Sequence, residues 1–324
     1  MANTARRLAM DRKTRTLLIS SEDGPALARL IRAARLPGLR ILRAASAGRF
    51  RVLLPGAHIV LGEPHRIVSH LTHASALEWV QSTWAGVERL VEPCRRMRLA
   101  LTGVKEVFGP LISEYVMAYV LAIERGLFDM RARQIRRQWI DRPYRPLRGL
   151  EIGILGLGSI GVEVAATARR FGIRVRGLRR SGRPVRGVTV FSPGRMTEFL
   201  RNLDYLVAAL PMTPQTESFF DRRFFSRMDP RTVFINVGRG AQVVEEDLAA
   251  ALRRRRLRGA VLDVFRKEPL PRTSPLWRLP GVYITPHNAA ESFPEQIAPI
   301  FIENYRRHRA GRRLLHRINL RKGY

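Results

Sequence analysis

The sequence predicts an α/β protein of two domains, each a parallel sheet with helices between its strands. Three observations support this. The chain has 324 residues, enough for two compact cores. Short β-type runs alternate with helix-type periodicity in both halves. The character of the chain changes near residues 103–109, where one alternating series stops and another is introduced by a long helix.

In the first half, residues 16–20 read as a strand and residues 25–34 as a helix. Further β-type runs fall at 51–54 and 58–61. Residues 77–82 form another strand, followed by a turn over 83–87. Residues 110–124 carry a long apolar-periodic helix, and the basic stretch 126–148 reads as helix then loop. From Leu150 the second series places strands at 151–155, 174–178, 205–208, 233–236, 260–262 and 282–285, mostly with helices between them. That is a doubly wound pattern. A last helix is expected over 295–309. The boundaries implied are 106–287 for the second domain, with 1–105 and 288–324 forming the first.

Composition narrows the function classes. Hydrophobic residues make up 45% of the chain, and Gly and Pro are scattered. The single cysteine, Cys94, cannot form an internal disulfide, and no Cys/His spacing suggests zinc, so a reducing, cytoplasmic setting is expected. The longest apolar run, residues 115–123, is too short to cross a bilayer. The basic segment 1–15 lacks a continuous apolar stretch and a cleavage site; it reads as a frayed tail rather than a secretory signal. The net charge of +31 is extreme and nearly all arginine, since Lys13, Lys105, Lys267 and Lys322 are the only lysines. Nucleic-acid binding would want clustered charge among exposed aromatics, and a membrane surface would want a basic amphipathic helix. Here arginine runs along the whole chain, with knots at 253–256 and 306–313, which favours solvated decoration. Such a field would attract anionic substrates, and DNA only non-specifically.

The strand 151–155 runs into Gly156-Leu157-Gly158-Ser159-Ile160-Gly161 and then a helix. This is the G-x-G-x-x-G fingerprint in strand–turn–helix context. Gly156 permits the tight turn, Gly158 lets the backbone approach a pyrophosphate, and Gly161 lets helix and strand pack closely. The helix N-terminus offers free N–H groups and a positive dipole end to the anion. The next strand ends in Arg179-Arg180-Ser181, where an NAD site usually carries an acid for the ribose hydroxyls. A guanidinium can instead grip a 2′-phosphate in a bidentate fork. NADP(H) is therefore the preferred cofactor on this reading, with NAD(H) possible and the two arginines incidental as the competing view.

Three later segments stand at strand ends, where a doubly wound sheet places its ligands. They are residues 234–240 with Arg239 between two glycines, residues 262–271 with Asp263 and Glu268, and residues 285–290 with His287. Taken singly, His287 is more often a satisfied polar residue, Glu268 a solvated one and Arg239 a structural clamp. Their joint appearance downstream of a phosphate-binding turn shifts the balance towards catalysis.

Gly156 to Gly161, Asn236-Val237-Gly238-Arg239-Gly240, the segment 262–271 and Pro286-His287-Asn288-Ala289-Ala290 together resemble the signatures of D-isomer-specific 2-hydroxyacid dehydrogenases. Residues 77–88, residues 108–116 and the closing Lys322-Gly323-Tyr324 resemble the glyoxylate/hydroxypyruvate reductase branch. The likeness spans roughly residues 16–324. It implies two Rossmann-like domains, a doubly wound cofactor domain inserted in a smaller flavodoxin-like substrate domain, with hinges near 103–109 and 289–294. It implies that His287 is the general acid, that Glu268 orients it and raises its pKa, and that Arg239 binds the substrate's carboxylate and carbonyl. The N–H groups of Gly86 and Val87 would hold the carboxylate. Asp263 would position the nicotinamide carboxamide, and Leu210, Pro211, Thr213, Val237 and Gly238 would line the cofactor site. Trp84 and Trp139 would shape a small pocket. No metal is required, and a homodimer through the helix 110–124 and the segment after it is implied. The substrate would be a small 2-oxo acid such as glyoxylate or hydroxypyruvate. A larger 2-oxo acid, or a dinucleotide-sensing partner protein with little turnover, stays open. The chain departs from the family in its basicity and in Glu291 after the histidine segment.

Overall fold

The structure is a computed structural model describing residues 14–141 and 143–323. The basic segment before residue 14, and Tyr324 of the closing tripeptide, lie outside the described residues. The chain divides into two units. Phe108–Glu291 forms one, and the segments up to Val107 and from Ser292 form the other.

The first unit carries β1 (Arg15–Ser20), β2 (Leu39–Arg43), β3 (Ile59–Gly62), β4 (Trp79–Ser82) and β5 (Ala100–Thr102). They pair in parallel in the order β2-β1-β3-β4-β5, the flavodoxin-like arrangement. β3 and β4 are buried along their whole length, as a sheet covered on both faces demands. The helix Pro294–Arg309 returns to this unit. There its Phe301 ring stacks on the fully buried Trp79 at 5.3 Å. Buried Asn304 ties Gln81 Oε1 (3.2 Å) to the backbone N–H of Leu315 (2.7 Å).

The second unit carries β6 (Glu151–Leu155), β7 (Arg174–Leu178), β8 (Thr189–Phe191), β9 (Tyr205–Ala208), β10 (Val233–Asn236), β11 (Gly259–Leu262) and β12 (Val282–Ile284). All pairings are parallel, in the order β12-β11-β10-β9-β6-β7-β8. This is the doubly wound sheet expected, with one strand more, β8, at the edge opposite β12. β9, β10 and β11 are buried throughout, which explains their unbroken apolar runs. Beside them Phe220, Phe224, Phe225 and Phe234 pack edge to face or tilted, with centroids 4.9–5.9 Å apart.

One expected strand is a helix. Residues 51–54 belong to the helix Ala47–Leu53 and the 3-10 turn that follows it. Ser46 caps that helix, its Oγ accepting from the Arg49 N–H at 3.3 Å. Phe50 and Leu54, four residues apart, are fully buried while Val52 between them is 69% exposed. A strand would have turned Phe50 and Leu54 to the same face as Val52. β2, β5, β8 and the helix Glu88–Arg96 add to the elements read from sequence. Among the described residues, no helix is long and apolar enough to cross a membrane.

Candidate active site

The order of the second sheet reverses between β6 and β9, and the carboxyl ends of strands at such a switch point are where a doubly wound sheet takes its ligand. β6 leads into the glycine turn and β9 into residues 209–213. Gly156 has φ +101°, and a Cβ there would sit 2.5 Å from the carbonyl oxygen of Ala209. A Cβ on Gly161 would run into the carbonyl of Gly156. Gly158, the N-cap of the helix Ser159–Arg170, has open space where its side chain would be, and no side chain caps that helix. The first N–H groups of the helix, at Ser159, Ile160 and Gly161, therefore face outward without helical partners. This cradle fits a pyrophosphate. Leu157 is 3% exposed and its side chain packs on Gly177, so only its backbone borders the turn.

At the end of β7, Arg179 is half-buried and its N–H donates to Phe191 O at 3.1 Å; Arg180 and Ser181 are exposed. No carboxylate occurs between residues 179 and 197. Beside the glycine turn, Leu210 and Pro211 are held by Gln242, whose Nε2 donates to their carbonyls at 3.2 and 3.0 Å. Thr213 closes its own turn through Thr216 Oγ1 at 2.8 Å.

Gln242 also reaches the Arg239 turn, its Oε1 accepting from the Arg239 N–H at 3.2 Å. Sequence reasoning missed this residue. It is fully buried, and its partners come from two different loops. Val237 is buried, and a Cβ on Gly238 would crowd the carbonyls of Ala208 and Leu210 at 3.3 Å. Arg239 itself is half-buried, with Nη1 donating to Gly238 O at 2.8 Å.

His287 Nδ1 lies 2.8 Å from Glu268 Oε2. The other oxygen of Glu268 accepts the Phe265 N–H at 2.9 Å. An ionised carboxylate can only accept, so Nδ1 carries the proton and Nε2 is the nitrogen left for chemistry. The Glu268 bond raises the His287 pKa above its ordinary value, against burial and the Arg239 charge, which lower it. For Glu268, burial works upward, but the bonds from His287 and Phe265 outweigh it and hold the carboxyl below the usual range. The Arg239 charge acts on both groups, which places the guanidinium within electrostatic reach of the pair. Asp263 is 3% exposed, and its carboxylate is engaged by the Thr285 hydroxyl and the N–H groups of Asn288 and Ala289. These bonds hold the His287 turn directly. Tyr115, which joins the same network through Thr285, carried no signal in the sequence beyond its place on an apolar helix.

In the first unit, Gly86 and buried Val87 lead into the helix Glu88–Arg96, and Trp84 is 42% exposed with its ring 5.1 Å from that of His65. Trp139 is fully exposed and walls no pocket of its own unit.

Fold and turn together define a dinucleotide-binding α/β protein. The sequence profile of the NAD-binding domain of D-isomer-specific 2-hydroxyacid dehydrogenases matches residues 117–289. The chain is 33% identical over 262 residues to glyoxylate/hydroxypyruvate reductase A of Yersinia enterocolitica, covering 76% of this chain and 82% of that one. It is similar to the crystal structure of a D-isomer-specific 2-hydroxyacid dehydrogenase family protein from Aeromonas salmonicida, at 43% identity and TM-score 0.90, covering 95% of this chain and all of that one. It is also similar to the NADPH-dependent glyoxylate/hydroxypyruvate reductase of Sinorhizobium meliloti in complex with NADP and sulfate, at 28% identity and TM-score 0.87, covering 96% and 100%. The chain belongs to the D-isomer-specific 2-hydroxyacid dehydrogenase family and is an NAD(P)-dependent oxidoreductase.

Proposed function

We propose that the protein reduces a small 2-oxo acid, of the size of glyoxylate or hydroxypyruvate, to the 2-hydroxy acid, with NADP(H) as the preferred cofactor. The observation that carries this reading is the His287–Glu268 pair with the Arg239 charge beside it, at the carboxyl edge of the sheet. The bound nicotinamide supplies the hydride. Arg239 binds the substrate's carboxylate and carbonyl oxygen and polarises the carbonyl towards attack. His287 delivers a proton from Nε2 to that oxygen, and Glu268 keeps the imidazolium available near neutral pH. Gly86 and Val87 contribute N–H groups to the carboxylate, and the half-exposed Trp84 limits substrate size.

For the cofactor, the cradle of Gly156 to Gly161 takes the pyrophosphate, and Arg179, Arg180 and Ser181 take a 2′-phosphate. The absence of an acid after β7 supports this preference, and the Sinorhizobium meliloti relative is an NADPH-dependent enzyme. Leu210, Pro211, Thr213, Val237 and Gly238 border the nicotinamide half.

The working form is a homodimer in the cytoplasm. Supporting it, Leu127, Phe128, Met130, Ile135 and Ile140 are exposed along one helix and its continuation, an apolar run that a second copy would cover. Trp139 lies in the same run.

The test is a panel of 2-oxo acids from glyoxylate and hydroxypyruvate to longer chains, assayed with NADPH and NADH by cofactor absorbance. The expected result is fastest turnover on the smallest acids with NADPH, and a loss of about a hundredfold or more in His287→Ala with NADPH binding kept. No turnover on any 2-oxo acid would leave a dinucleotide-sensing role. Highest kcat/KM on long acids would favour a larger substrate.

A further inference from the structure

We propose that Thr285 and Tyr115 are positioning residues for the proton donor: a hydrogen-bond chain from Tyr115 through Thr285 to Asp263 fixes the turn that presents His287. The proposal rests on the reading of His287 as the proton donor. His287 has φ +55°, a left-handed conformation uncommon for a residue with a Cβ, and its surroundings hold it there. What holds it is one residue. The backbone carbonyl of Asp263 accepts the His287 N–H at 2.8 Å. Oδ1 of Asp263 accepts the Thr285 hydroxyl at 2.7 Å and the Asn288 N–H at 2.9 Å, and Oδ2 accepts the Ala289 N–H at 3.1 Å. The chain before, at and after His287 thus hangs on a single buried carboxylate residue.

A buried carboxylate stays where its donors hold it, and losing one leaves charge uncompensated. Among these donors only Thr285 is a side chain. Its proton goes to Asp263, so its oxygen is free to accept, and the Tyr115 hydroxyl stands 2.7 Å away. The direction of the chain follows: Tyr115 donates to Thr285, which donates to Asp263. Burial, chiefly, pushes the Tyr115 hydroxyl far above its ordinary range, so it remains a donor at any working pH. Its ring is backed by Tyr119 at 4.9 Å, and Tyr119 in turn lies 5.9 Å from Tyr283 on β12. Tyr115 belongs to the helix Phe108–Glu124, which packs on the helix of the glycine turn and is tied to it by Thr167 Oγ1 donating to Ser113 Oγ at 3.2 Å. The chain therefore references the proton donor to the helix that braces the phosphate cradle.

Thr285→Val keeps the shape and removes the hydroxyl, Thr285→Ser keeps the hydroxyl, and Tyr115→Phe removes only the far donor. For 2-oxo acid reduction, kcat should fall about tenfold or more in Thr285→Val and severalfold in Tyr115→Phe, the scale of a small misplacement of a reacting group. The NADPH dissociation constant should stay at the wild-type value, Tm in Thr285→Val should fall by only the few degrees that one lost donor to a buried carboxylate implies, and Thr285→Ser should recover most of the turnover. His287→Ala is measured alongside. Normal turnover in Thr285→Val beside an inactive His287→Ala overturns this proposal alone. So does a Thr285→Ser as impaired as the valine variant, or a kcat loss matched by loss of NADPH binding or by unfolding at the assay temperature. Wild-type turnover in His287→Ala overturns the proton-donor reading and this proposal with it.

Discussion

Replacing Glu124 by glutamine tests what holds the dinucleotide-binding unit together. Glu124 is the last residue of the helix Phe108–Glu124, and its side chain is 1% exposed. Its carboxylate accepts from Arg145 Nε (3.0 Å) and Nη2 (2.9 Å), from Arg258 Nη1 (2.6 Å) and from the Tyr205 hydroxyl (2.5 Å). Arg145 also donates to Asp204 at 2.9 Å, and Asp204 accepts the Glu151 N–H that begins β6. In Glu124→Gln an NH2 group faces donors and two guanidinium groups lose their shared counter-charge. Removing one partner of a buried charged network costs about 3–5 kcal/mol. Arg145 and Arg258 are 45% and 34% exposed, so water recovers part of their solvation and the lower end, about 3 kcal/mol, is expected. For a unit of this size that corresponds to a fall in Tm of about 6–12 °C. The cluster sits at the amino ends of β9 and β11, opposite the edge that carries His287, so turnover below the melting range should not change. The pH dependence has a definite sign. Burial raises the Glu124 carboxyl, but the bonds from Arg145, Tyr205 and Arg258 outweigh it and the folded pKa lies below the ordinary value. The contribution is present above the unfolded pKa and is lost as pH falls through the folded one, so wild type and variant should converge in acid. Thermal and urea melts across pH measure this. A difference under about 1 kcal/mol at neutral pH, or one that does not shrink in acid, would refute the reasoning.

Three further outcomes are expected. In Glu268→Gln the support for the imidazolium is lost, so the alkaline limb of the kcat profile for reduction should move to lower pH; a limb that stays in place would remove Glu268 from the control of His287. In Arg179→Ala the KM for NADPH should rise by about tenfold or more while that for NADH hardly moves, the scale of a charge-assisted phosphate contact, and equal effects on both cofactors would show that Arg179 does not read the 2′-phosphate. Burial pushes the Cys94 thiol up to about 12, so the native protein should resist iodoacetamide at neutral pH and react only when unfolded; stoichiometric native labelling would contradict the burial.

The parts of the fold legible in the sequence are those whose cause is local. The strands 205–208 and 233–236 announce themselves because a parallel sheet covered on both faces needs unbroken apolar runs. The glycine turn is legible because its constraints are steric and fall on three positions, each of which the structure shows to be tight or open as the motif requires. Edge strands lack that signature. β2 is half-exposed and reads Leu-Arg-Ile-Leu-Arg, and β5 and β8 have three residues each. The run 51–54 is apolar enough for a strand, and only Ser46, upstream of the window, marks it as helical.

The site divides along the same line. Arg239, Glu268 and His287 are visible as residue types at strand ends, because a doubly wound sheet sends its ligand contacts there. What holds them in place is invisible, since Gln242 reaches residues 210 and 211 from 32 and 31 positions away, and Tyr115 meets Thr285 across 170. Neither contact leaves a periodicity or a spacing. Asp263 shows how the two levels join. Its position two residues before Phe265 belongs to a recognisable segment, yet its carboxylate is spent on the turn of His287, a fact that only the folded chain supplies. The reacting groups proposed for this site are therefore specified by strand-end residues, while their aim is specified by buried polar side chains drawn from distant elements. Gln242 acts on loops proposed to line the cofactor, whereas Thr285 and Tyr115 act on the His287 turn, so substitutions of the latter pair should lower kcat without touching cofactor affinity, and that division is what Thr285→Val measures.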